Sequence, residues 1–148
     1  MFATESKVND VLAVVGVIQP QAITAGATGV LTAAVDMKDY SNLMFVVSSG
    51  TLGASGTLDV EAQASDAAGG TYATITGRAA TQLVKATGDN KIVVVHVTEA
   101  DVAAAGKRYV KFKIAAGTAN ATSSGIVLGV PMSGRAGASN LAAVAQVI

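Results

Sequence analysis

A lone histidine, His96, and two carboxylates spaced two apart, Asp59 and Glu61, come nearest to chemistry in this sequence. His96 sits in VVVHVT, a run with strong strand propensity. Service as a general base would need a nucleophile and an orienting carboxylate, and no G-x-S-x-G elbow accompanies it. One histidine and no cysteine leave zinc short of ligands. His96 therefore reads as a structural imidazole on a sheet face. Asp59 and Glu61 alternate with apolar neighbours, which puts them on one strand face about 7 Å apart. Glycosidase carboxylates stand at such a separation. Alternation alone, however, produces the same pair on any exposed strand face, and no aromatic sugar platform lies nearby.

Other constellations resolve in the same way. Asp36, Asp39 and Asp66 match no D-x-D-x-D-G calcium loop, and capping and turn formation account for them. GTLGASG has glycines but neither G-x-G-x-x-G nor G-K-[ST], and no helix start follows to hold a phosphate. Lys107, Arg108, Lys111 and Lys113 form a modest basic edge, which reads as a solvated strand face or as charges that pair with an assembly partner. The sequence thus predicts no catalytic residue, no cofactor and no metal site.

The elements that carry these residues are strands. In TLDVEAQAS, Leu58, Val60, Ala62 and Ala64 alternate with Asp59, Glu61, Gln63 and Ser65. RYVKFKIA sends Val110, Phe112 and Ile114 one way and Tyr109, Lys111 and Lys113 the other. GVLTAAVDM places Leu31, Ala33, Val35 and Met37 on one face. LMFVVSS, KIVVVHVT and SGIVLGVPM lack clean alternation and read as strands covered on both faces, by a second sheet and by a partner subunit. YATIT adds a shorter strand. Clusters of Gly, Asn, Asp and Ser punctuate them. Thr98 followed by Asp101, with Gly106 beyond, marks the start and stop of a short helix. Asp36 to Tyr40 forms a turn into the next strand. Seven or so short strands at this spacing predict a mainly β fold: an antiparallel β-sandwich, jelly-roll-like or Greek-key, with one or two short helical turns.

Composition bounds what such a domain does. At 148 residues the chain makes one domain. Only 14% of its residues are charged and 4% are aromatic, so the core is thin and the surface is drier than that of an ordinary soluble monomer. Ten basic residues balance ten acidic ones, which argues against a nucleic-acid partner. Val11 to Val35 carries no charge, but Gln19, Pro20, Gln21 and repeated Thr and Gly break it as a membrane span. The first ten residues lack a signal-like basic and apolar pattern, so the protein is expected to stay where it is made.

The termini stand apart. Val8, Leu12 and Val15 recur at helical spacing amid β-branched neighbours, and Leu141, Val144 and Ile148 do the same at the end, beside Val147. Each segment suits a short helix or an added strand, and each needs a surface to lie on. These seven residues are the candidate interface. Residues 1–27 read as an N-terminal arm or first strand and 28–132 as the sandwich. Residues 133–148 read as a glycine-bearing hinge and an apolar arm.

DMKDYSNLMFVVSSGTL, LDVEAQASDAAGGTYATITG, KIVVVHVTEADV, KRYVKFKIAAGTA and GIVLGVPM together resemble small structural proteins of tailed bacteriophages, similar to head decoration (cement) proteins. The resemblance covers Thr28 to Met132. It matches Asp36, Met37 and Tyr40 to a turn before an apolar strand, and Arg108, Tyr109 and Val110 to a late strand. It implies a non-enzymatic β domain on the capsid surface of a virion, made in the host cytoplasm. It further implies the major capsid protein as partner, and self-association, with a homotrimer favoured over a homodimer. Alternative readings are a tail, neck or head-fibre component, and a carbohydrate-binding sandwich.

Overall fold

The computed structural model describes residues 7–132 and 140–148. A short 3-10 turn, Val8–Asp10, leads into ten strands: β1 (Ala13–Ile23), β2 (Val30–Leu31), β3 (Val35–Asp36), β4 (Tyr40–Leu52), β5 (Thr57–Ser65), β6 (Ala73–Ala79), β7 (Leu83–Val84), β8 (Ile92–Thr98), β9 (Tyr109–Gly117) and β10 (Ala121–Pro131). Two short helices interrupt them, α1 (Lys85–Gly88) and α2 (Glu99–Ala104). Sheet A runs in the order β1-β10-β4-β8. Sheet B runs β2-β9-β5-β6, with β3 also on β9 and β7 also on β5.

The named strand pairs are all antiparallel, and their order is that of a jelly roll. The chain pairs as a long ribbon folded back on itself: β1 with β10, β2 and β3 with β9, β4 with β8, β5 with β6 and β7. Rolling that ribbon brings β10 against β4 and β9 against β5, which divides it into two facing sheets. Seven of the strands have seven residues or more, in keeping with the number the turn spacing predicts.

Period-two burial explains why the sheets close on each other. Leu43, Phe45 and Val47 of β4 and Val95 and Val97 of β8 face inward from sheet A. Leu58, Val60 and Ala62 of β5 and Val110, Phe112 and Ile114 of β9 meet them from sheet B. The rings of Phe45 and Phe112 touch across the sandwich with centroids 4.9 Å apart and planes tilted by 34°. Gly125 lies inward on β10, where a Cβ would collide with the Phe45 ring, so its missing side chain gives the phenyl its space. Among the described residues, Phe45 and Phe112 are the two phenylalanines of the core, one from each sheet.

Two local readings change. Leu31 and Ala33 are exposed, whereas Thr32 is buried beside Val35 and Met37. The alternation slips because the Thr32 hydroxyl enters the ladder. Its Oγ1 accepts the Phe112 N–H at 3.0 Å while its own N–H donates to the Phe112 carbonyl at 2.9 Å. The segment thus splits into β2 and β3 rather than forming one strand. LMFVVSS, KIVVVHVT and SGIVLGVPM do alternate, with one face in the core; their outer faces are themselves apolar, which blurs the pattern in the sequence.

The α2 turn forms as its residues dictate. The Thr98 hydroxyl accepts the Asp101 N–H at 3.2 Å, and the Asp101 carboxylate accepts the Thr98 N–H at 2.8 Å, a reciprocal cap. Gly106 ends it with φ +65°, a conformation that costs a residue with a Cβ. Asp36 takes the Lys38 N–H at 3.1 Å in the turn before Tyr40 opens β4.

Candidate interaction surface

The residues with catalytic potential are otherwise engaged. Asp59 and Glu61 do share the outer face of β5. Gln82 donates to both Asp59 oxygens at 2.9 and 3.0 Å. Glu61 accepts from Gln63 at 2.8 Å and Thr74 at 2.7 Å, and pairs with Lys113 at 2.7 Å. Burial pushes the Glu61 carboxyl up, but the hydrogen bonds from Lys113 and Thr74 outweigh it and hold the group below its ordinary value. An acid held in its ionised form is the reverse of what a glycosidase proton donor requires. His96 is exposed on the outer face of sheet A, opposite Met44. Among the described residues no group of three or more His, Asp or Glu side chains could hold a metal ion.

The basic edge is internally neutralised. Arg108 donates two bonds to Asp36, at 2.8 and 2.6 Å, and this guanidinium foremost holds the Asp36 carboxyl low against the effect of burial. Lys107 meets Asp66 at 2.6 Å. Lys111 lies 4.4 Å from the centre of the Tyr72 ring, and Arg108 lies 5.1 Å from that of Tyr109. Phosphate binding would have to break these pairs. The outer face of sheet B is therefore polar and satisfied by its own partners.

The outer face of sheet A differs. Register places Val17 of β1, Ile126 of β10, Val46 of β4 and Val94 of β8 side by side in one cross-strand row. The adjacent row is Val14, Leu128, Met44 and His96. Exposure of this band is greatest toward β8 and on β10: Ile126 is 47% exposed, Val94 53% and the neighbouring Ile92 61%, while Val14, Val17, Met44, Val46 and Leu128 are half-buried. Ser48 and Ser124 flank it at one end, and Asn42 and Thr98 at the other. The result is an uncharged band with hydroxyl and amide rims. The sequence signal for it was present in the three strands without clean alternation.

The predicted terminal residues gather at one corner of this band. Val8, Leu12, Val144, Val147 and Ile148 line a shallow recess of about 440 Å³ together with Val14 and Leu128. The C-terminal segment reaches β1 of its own chain: the Val14 N–H donates to Asn140 Oδ1 at 2.7 Å, and the Leu141 N–H donates to the Val14 carbonyl at 2.8 Å. Beyond that contact it forms neither helix nor strand, only a turn closed by the Val144 N–H on the Leu141 carbonyl, and Ile148 is left 95% exposed. Of the seven candidates, Leu141 meets β1 through its backbone rather than lining the recess, and Val15 lies elsewhere. It points into the core from β1, because strand alternation there overrides the helical spacing in the sequence. The sandwich accordingly takes in β1 from Ala13 as well as residues 28–132. The hinge read in residues 133–139 lies outside the described residues. No described helix is long and apolar enough to cross a membrane.

No protein-family model matches the chain, and no curated protein matches it. Among solved structures it is similar to the SPBc2 prophage-derived protein YomS, at 16% identity over 74% of this chain and 93% of that one, with a TM-score of 0.38. It is similar to a chain of the naturally occurring empty particles of Cowpea mosaic virus, at 9% identity over 84% and 85%, with a TM-score of 0.41. It is also similar to the C-terminal family 22 carbohydrate binding module of Clostridium thermocellum Xyn10B, at 17% identity over 86% and 98%, with a TM-score of 0.38. Likenesses at these scores assign no function, and what the chain does has to be argued from its own surfaces.

Proposed function

We propose that this chain is a non-enzymatic structural protein of a tailed-phage virion that binds the assembled capsid shell and bridges major capsid protein subunits. The observation that carries the reading is the four-strand-wide uncharged band on sheet A, set against a polar, self-satisfied sheet B. A solitary soluble domain gains nothing from such a face, whereas an assembly component buries it. The sequence resemblance to head decoration proteins supports the same placement. A protein that binds the assembled shell but not its free subunits stabilises the shell by mass action, by about 2.7 kcal/mol at a hundredfold excess over Kd. It acts on the outside of the particle after synthesis in the host cytoplasm.

The test is co-sedimentation of the purified chain with assembled shells and, separately, with unassembled major capsid protein of the same phage, followed by a cryo-EM reconstruction of the virion. Density for the chain spanning adjacent capsid subunits is expected. Density confined to the tail, neck or a head fibre would move the chain to those structures, where an adhesive sheet face serves equally well. A glycan-binding role finds little support in the aromatic residues. Among the described residues, Phe45 and Phe112 are buried, Tyr40 packs against the core, and Tyr72 and Tyr109 each have a cation over the ring. Measurable xylan or other glycan binding by the purified domain, with no shell binding, would overturn the proposal.

A further inference from the structure

We infer that the occupant of the sheet A band is a second copy of the same band, so that the chain forms a face-to-face dimer about a two-fold axis lying in the plane of the interface. The inference rests on reading this face as an interface, and it names the partner. Three observations select that partner.

The first is charge. The two rows contain no Asp, Glu, Lys or Arg, and His96 at the end of the second is their one ionisable side chain, so a covering surface with charges would have to desolvate them with little compensation. The outer face of sheet B, with Asp59, Glu61, Lys111 and Lys113, is such a surface, and stacking A on B would strip water from those groups. Another sheet A face carries no such penalty. The second is placement. The two rows lie in the middle of the sheet, with the mixed row Ser124, Ser48 and Ile92 on one side and Val130, Asn42 and Thr98 on the other. Rotation about either in-plane axis, along or across the strands, therefore lays band on band and flanking row on flanking row. That self-complementarity is the requirement of an isologous contact. Two sheets packed in this way stand about 10 Å apart with interdigitated side chains, as in the interior of a sandwich.

The third is extent. Four strands and four rows, the two flanking rows included, cover a footprint of about 500 Å² from strand spacing and rise, below the roughly 800 Å² per partner of a standard stable interface. The terminal recess, continuous with the band through Val14 and Leu128, adds apolar surface at its corner. The dimer is accordingly one that dissociates on dilution, and its stability depends on the middle row.

Sedimentation velocity of the full chain over a concentration series tests this, beside the double variant Val94→Glu with Ile126→Lys and a sheet B control, Gln63→Ala. Circular dichroism establishes that each variant is folded. The wild-type chain and the control are expected to show a monomer–dimer equilibrium in the micromolar range, and the double variant a dissociation constant raised at least tenfold. A wild-type chain monomeric throughout, or a dimer or trimer whose mass the double variant leaves unchanged, overturns the inference. If the double variant fails to fold, Val46→Thr, which is milder and lies in the same row, replaces it with the same criterion. Shell binding measured in parallel separates the two claims. A monomer that binds shells ends the dimer and keeps the virion role, whereas a dimer that binds none does the opposite.

Discussion

The two outer faces of this jelly roll are made by similar strands and have opposite characters. On sheet B the outward positions of β5 and β9 are Asp, Glu, Gln, Tyr and Lys, tied to one another by ion pairs and hydrogen bonds. On sheet A the outward positions of β10, β4 and β8 are mostly Val, Ile, Leu, Met and Ser, without the ion pairs of sheet B, and the chain's ends reach only one corner of them, at Leu128. The inner faces are alike. A sandwich needs only one apolar face per sheet to fold. The second apolar face of sheet A is therefore surplus to folding, and that surplus is what points to association.

If the faces differ only on the outside, Phe45→Ala in sheet A and Phe112→Ala in sheet B should destabilise the fold similarly, each by about 3–5 kcal/mol, as read by chemical denaturation. A large inequality would break the claim that the inner faces are equivalent. The edge where the sheets meet gives the next effect. Asp101, after β8, bonds Arg78 of β6 at 2.7 Å, and that bond, with the Thr98 cap and against burial, pulls its carboxyl from an ordinary 3.8 down to about 2. A lowered carboxylate stabilises the fold above its unfolded value and loses that contribution as pH falls through the folded one. Asp101→Asn should cost about 1 kcal/mol at pH 7, with the cost shrinking as pH falls below the ordinary carboxylate range toward 2.

A smaller effect belongs to sheet B. Glu61→Ala should cost roughly 0.5–1 kcal/mol, the scale of a partly exposed ion pair with added hydrogen bonds. Because the Glu61 carboxyl is held low, the difference from the wild type should shrink on acidification; a cost constant with pH would mean that packing, not charge, is what the residue provides. The smallest belongs to sheet A. Val46→Thr, outward in the middle row, should leave the stability of the dilute, dissociated chain within about 0.5 kcal/mol while weakening association. A large loss in thermal melts at high dilution would mean that the band is already covered within the chain.

How much of this was legible beforehand can be followed residue by residue. The alternation in TLDVEAQAS and RYVKFKIA gave inward and outward faces correctly, because a strand's side chains alternate wherever it pairs. The Thr98–Asp101 cap and the Gly106 stop were readable because each is a contact within a few residues. Thr32 was not readable: its hydroxyl is placed by Phe112, eighty positions along the chain. Val15 was misplaced for a similar reason, since pairing of β1 with β10 settles a segment whose spacing suits both helix and strand. The short α1 helix, Lys85–Gly88, was missed because Val84 at its start offers no side-chain cap.

By itself, the sequence determined that the chain is a β-sandwich, poor in charge and aromatic residues, with short capped turns and apolar ends. These properties follow from period, composition and contacts a few residues apart. Only the tertiary structure decided that the ribbon rolls into the order β1-β10-β4-β8, and so that Val17, Ile126, Val46 and Val94 line up in one row. The same rolling brings Val8, Leu12, Val144 and Ile148 to a single corner. The reason is physical: a strand's pattern says which residues share its face, but only the choice of neighbours and their register says what those faces add up to.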